Sequence, residues 1–136
     1  MHLPLGQFRA QLDALADAGL RVRELGERVQ PGDAPSVVIS FDDAYAGTLD
    51  YALPELSARH WPSTVFVAPG LLGSAAPWWD RLASPADGAV PTKLRQRGLT
   101  EFAGEESRIL EAAQAEGWPL TPPAREHRIA SEDELG

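Results

Sequence analysis

Val37-Val38-Ile39-Ser40-Phe41-Asp42-Asp43-Ala44-Tyr45 is the stretch whose reading decides the fold. Its first five residues are rich in β-branched and apolar side chains and do not alternate with charged ones. That is the pattern of a strand buried on both faces of a parallel sheet. The run passes without a break into two adjacent aspartates. Residues 48–59 then read as a helix with Leu49, Leu53 and Leu56 as its apolar stripe. Pro54 fits if the regular helix begins near Ala52, because a proline in the first turn forfeits no hydrogen bond. Ser63-Thr64-Val65-Phe66-Val67 is a second buried strand, closed by Pro69-Gly70. The span 37–67 has the length of a βαβ unit, which predicts a parallel pair joined by a crossover helix.

Upstream, Phe8, Leu12 and Leu15 recur at helical spacing, so residues 7–18 read as an amphipathic helix ended by Gly19. Leu20 and Val22 alternate with Arg21 and Arg23, which predicts a short strand with one wet face. Downstream the pattern loosens. Pro77-Trp78-Trp79-Asp80-Arg81-Leu82 starts a short helix, and residues 84–100 have loop composition with one short helical stretch at most. Residues 105–116 form the one clear helix of this half, acidic at its start and followed by Gly117. Pro119, Pro122 and Pro123 stiffen the linker after it. Ser131-Glu132-Asp133-Glu134 is a capping box that opens a helix of which only Leu135 and Gly136 remain. The expectation is a chain that stops as an element begins.

With 136 residues the chain suits a single domain. Hydrophobic residues make up 43% and charged residues 24%, which is globular composition rather than disordered. Twelve basic against twenty acidic residues give a net charge of -8, which argues against a general nucleic-acid binder. The absence of cysteine excludes disulfides, thiolate zinc sites and thiol catalysis. No apolar run approaches the ~20 residues of a membrane span. The first ten residues lack the pattern of a signal peptide, which gives a cytoplasmic expectation.

Asp42 and Asp43 follow a strand, where parallel α/β folds place their ligand crevices. Paired carboxylates repel each other, and a site that gathers them usually supplies a cation. One acid could then hold a metal while the other acts as a base. An Asp-Asp pair in such a loop also serves simply to cap the next helix. Tyr45 reads either as a neighbour of that site or as an interior aromatic. Trp78 and Trp79 could stack on sugar rings and Asp80 could bond to hydroxyls, but adjacent tryptophans on a helix point different ways, so at least one is packing. His60 sits at the amino end of its strand, away from such a site. His127 lies in a charged turn that reads as solvated, and Lys93, Arg95 and Arg97 read as a solvated basic face.

Ser40-Phe41-Asp42-Asp43-Ala44-Tyr45 resembles the Thr-Phe-Asp-Asp-Gly-Tyr motif of the polysaccharide deacetylase family, the NodB-like carbohydrate esterases. Leu53-Pro54-Glu55-Leu56 resembles that family's helix, residues 63–67 its next strand, and Pro77-Trp78-Trp79-Asp80 a tryptophan segment of some members. The resemblance covers residues 7–80 best. It implies one partial domain over residues 1–136, an α/β fold that is an incomplete part of a distorted (β/α) barrel, and hydrolysis of N-acetyl groups on a polysaccharide. It implies a divalent metal, usually zinc, with Asp42 as general base and Asp43 as metal ligand. Tyr45, Trp78, Trp79 and Asp80 become candidate substrate contacts.

Two departures stand out. Ala44 replaces the motif's glycine, a strain if that position needs a positive φ. The family's histidine pair, four residues apart, has no counterpart among His2, His60 and His127. The expectation is therefore a truncated member that lacks its histidine ligands and is inactive alone. Its main rival is a non-catalytic or sugar-binding remnant of the same fold. A magnesium-binding receiver domain is a further alternative, but it needs an acid after its third strand, where this chain has Val67-Ala68-Pro69-Gly70.

Overall fold

The computed structural model of the chain describes residues 3–84 and 88–136. His2 lies outside the described residues. Helix α1 spans Leu5–Asp17 and turns Phe8, Leu12 and Leu15 inward, with Leu12 only 2% exposed. The predicted 3.6-residue stripe is therefore the buried one. The helix ends at Gly19, whose φ of 66° is the left-handed cap geometry that glycine adopts without penalty.

Four two-residue strands follow the predicted order: β1 (Arg21–Val22), β2 (Ser36–Val37), β3 (Ser40–Phe41) and β4 (Thr64–Val65). β1 pairs in parallel with β2, and β3 pairs in parallel with β4. The run predicted as one strand thus divides into two short strands with different partners. The Arg23 N–H donates to Val37 O at 2.9 Å on one side, and the Thr64 and Phe66 N–H groups donate to Ile39 and Phe41 at 3.0 and 2.8 Å on the other. Between β3 and β4 lies the expected crossover. It begins as a π-helical turn, Thr48–Ala52, and continues as α2, Leu53–Ala58, with Pro54 in its first turn. Pro54 has no N–H to give the preceding turn, so the regular ladder can start only around it.

Double burial of the central strand is not what forms. Exposure alternates along residues 37–41, and Val38 is 45% exposed. Phe66 and Val67 are open as well. One face rests on α1, where the Phe8 and Phe41 rings meet edge to face at 6.2 Å, and the described residues leave the other face open. The wet face predicted for β1 holds at Arg21, which is exposed, but not at Arg23 just beyond the strand. Arg23 is 6% exposed, because Glu27 at 2.8 Å, Asp33 at 3.0 Å and the Arg28 carbonyl at 3.2 Å surround its guanidinium.

The second half is more helical than its loop-like composition suggests. It carries α3 (Trp78–Arg81), α4 (Thr92–Thr100), α5 (Glu106–Ala115) and α6 (Glu132–Leu135). Trp78, Leu82, Leu94, Ile109 and Ala113 form one buried cluster joining α3, α4 and α5. In α4 the inward residues are Leu94 and Gly98, four apart on one face. Arg97, read from sequence as part of a solvated basic face, pairs with Glu101 and Glu116 and lies over the Phe102 ring. Removing Ile109 from water stabilises the fold by roughly 1.5–3 kcal/mol.

Gly98 sets how close these helices come. A methyl group there would lie 3.3 Å from both the Ile109 side chain and the Trp78 ring. In a free helix Gly→Ala gains about 1 kcal/mol. Here Gly98→Ala is expected to lose that gain, and Gly98→Leu to lower stability by about 2 kcal/mol through overpacking. Urea midpoints of the two variants, compared with the parent chain, check this.

Candidate functional site

The carboxyl end of β3 delivers Asp42, Asp43 and Ala44 into a tight left-handed turn. Asp43 has φ 64° and Ala44 φ 52°, conformations that cost L-residues about 1–2 kcal/mol each. Ala44 thus stands where a glycine would be unstrained. The turn is held by a distant segment. Residues 128–130 run as an extended strap between this turn and residues 73–74. Ala130 N–H donates to Ala44 O at 2.9 Å, and Ala46 N–H donates to Arg128 O at 2.9 Å. On the strap's other edge, Gly73 N–H donates to Ala130 O at 3.0 Å, and Ile129 N–H donates to Ser74 O at 3.1 Å. Tyr45 and Ile129 form an antiparallel bridge, and Ala44, Ile129 and Ala130 are fully buried.

The capping box predicted after the strap is formed. The Glu134 carboxylate accepts from the Ser131 N–H at 2.9 Å and from its hydroxyl at 3.1 Å. Arg128 pairs with the same carboxylate and, with those bonds, holds its pKa down at about 2.

Beside the turn opens a cleft of about 760 Å³. Asp42 lines it, with Tyr45, Trp79 and Asp80. The Trp79 indole N–H donates to the Tyr45 oxygen at 2.8 Å, and the Tyr45 hydroxyl donates to Asp80 Oδ2 at 2.7 Å. Asp80 is 6% exposed, so this charge-assisted bond lies in a dry part of the wall. Burial, and then donation to Asp80, push the Tyr45 phenol above its usual range, with the charges of Asp80 and Asp43 adding to the effect.

The six candidate residues divide. Asp42, Tyr45, Trp79 and Asp80 meet at the cleft. Asp43 is half-buried in the turn and is not part of the cleft wall, although its charge reaches the Tyr45 phenol. Trp78 is the packing member of the tryptophan pair. It is 5% exposed inside the helical cluster, edge-on to Trp79 at 5.5 Å, and does not line the cleft. His60 lies at the far end of β4, lining a separate hollow with Glu24 and Trp61.

The sequence reading missed two contributors. Glu126 and His127, in the single turn Arg125–His127, also line the cleft. His127 is half-buried there rather than solvated. Their approach depends on Gly47, where a methyl group would stand 3.1 Å from both Cβ and the backbone oxygen of Glu126.

Among the described residues, no three His, Asp or Glu side chains converge as metal ligands. No described helix is long and apolar enough to cross a membrane. No family model, curated protein or solved structure matches the chain.

Two expectations follow. Ala44→Gly should leave stability within about 1 kcal/mol, because relief of strain offsets the lost buried methyl group, whereas Ala44→Val should lower it by about 3 kcal/mol. Equal urea midpoints for the two variants would show that the turn is not held left-handed. For Tyr45, the fold keeps the neutral phenol. Its stabilisation is complete below the unfolded value near 10 and declines as pH rises beyond it. Phenolate absorbance assigned by difference from Tyr45→Phe should therefore be missing at pH 10 and emerge only at higher pH.

Proposed function

We propose that the chain is a carbohydrate N-deacetylase-type α/β domain, built as part of a distorted (β/α) barrel of the NodB-like kind. Its reaction class is hydrolysis of the C–N bond of an N-acetyl group on a sugar. One observation carries the reading: Asp42 is delivered by a parallel strand into a cleft whose other walls hold Trp79, Tyr45 and Asp80. Asp42 stands where a base could take the proton of an attacking water, the role that the resemblance gives it. Trp79 offers a ring against which a sugar can stack. The bond to Asp80 fixes the Tyr45 hydroxyl in the wall.

Zinc is the metal that the resemblance implies, and Asp43 is its candidate ligand. A zinc centre takes three or four protein ligands, and the described residues do not fit one. No step is therefore routed through a metal, and the chain by itself is expected to bind sugar without turning it over. The same mismatch favours a second reading, a sugar-binding domain that keeps the cleft without the chemistry.

The test joins zinc calorimetry, binding of an N-acetylglucosamine tetramer and acetate release. Expected results are weak zinc binding that falls further in Asp43→Asn, saccharide binding weakened about tenfold by Trp79→Ala, and no acetate above background. Tight one-to-one zinc binding with acetate release would establish the enzyme reading against the binding one. Failure to bind any saccharide would remove both.

A further inference from the structure

Two kinds of group in the cleft wall bear on a cation. Phe8, Tyr51 and Trp79 supply aromatic surface, and Asp42, Asp80 and Glu126 supply carboxylates. Among the described residues that line the cleft there is no lysine or arginine, and the one basic side chain is the imidazole of His127. An aromatic wall attracts a cation through the negative face of its rings, and carboxylates attract it through charge. The two attractions act together on an organic ammonium ion, which is less strongly hydrated than a metal ion and can lie against a ring.

The phenol of Tyr45 stands in the same field. Burial and its bond to Asp80 raise its pKa most, and the charges of Asp80 and, from outside the cleft wall, Asp43 add to the shift. An N-acetyl group is neutral and gains nothing from that field. A free amine on the same sugar carbon gains from both wall types.

We propose that the cleft selects an amine-bearing sugar, a glucosamine-like ring with its ammonium group between the aromatic and acidic walls, over the N-acetylated or neutral ring. This rests on the reading of the cleft as a carbohydrate site and adds the charge state of the ligand. It places the chain at the product side of amide hydrolysis, or on polymers already carrying free amines.

Calorimetry of the full chain with three probes tests it: a β-1,4-linked glucosamine tetramer, its fully N-acetylated form and the glucose tetramer. The glucosamine tetramer should bind about tenfold tighter than either of the others, with the preference shrinking as salt is raised. Glu126→Gln alters an exposed carboxylate outside the proposed catalytic group and should leave the fold intact. It should reduce the preference while leaving binding of the glucose tetramer unchanged. Equal affinity for all three probes would overturn the inference and leave the carbohydrate reading standing. No binding of any probe would overturn both. Tetramethylammonium binding as tightly as the glucosamine tetramer would overturn the sugar requirement and reduce the cleft to a general cation site.

Discussion

Backbone pairing of residues 128–130 is the constraint from which the site follows. The strap donates to and accepts from the turn at residues 44–46, and it bonds residues 73–74 on its other edge. A left-handed Asp43 and Ala44 would relax in an unsupported loop, because each is held in a costly conformation. Here the peptide groups on both sides of Tyr45 are committed to the strap, and the Ala44 methyl group is sealed from water. Strain in the turn is therefore offset by pairing outside it. The direction in which Asp42 leaves the strand is set by a segment more than eighty residues away.

The two halves of the chain serve different ends. Parallel pairing of β3 with β4, with α1 against one face, aims the acidic turn. The cluster of Trp78, Leu82, Leu94, Ile109 and Ala113 is a helical core of its own. Trp78 and Trp79 join the two. One ring is anchored among the helices, and the other is held edge-on against it and reaches Tyr45. Trp79 is thus braced from the helical side of the cleft, and Asp42 is delivered from the sheet side.

Periodicity made the local elements readable. The stripe of α1, the crossover after β3, the break around Pro54 and the capping box at Ser131 all follow from residues close together in sequence, where propensity and capping act. Long-range geometry was not readable. The alternating exposure of residues 37–41 depends on what covers each sheet face, and a run with no charged residue in it looks the same whether one face is covered or two. Arg23 looked solvated because its partners Glu27 and Asp33 lie in a loop whose fold is not periodic. For the site, the strand-end position of Asp42 was legible. The places of Glu126 and His127 were not, since nothing in a charged turn after two prolines reveals that Gly47 leaves room for it.

The small residue at position 47 has a thermodynamic corollary. Because the far wall of the cleft arrives only when the strap seats against it, the cavity has no existence in a state where that segment has peeled away. Occupancy of the cavity and closure of the segment are linked equilibria, and any molecule held between the two walls acts as a clasp. Its affinity is reported as resistance of the last dozen residues to hydrogen exchange, at a distance from every atom that it touches.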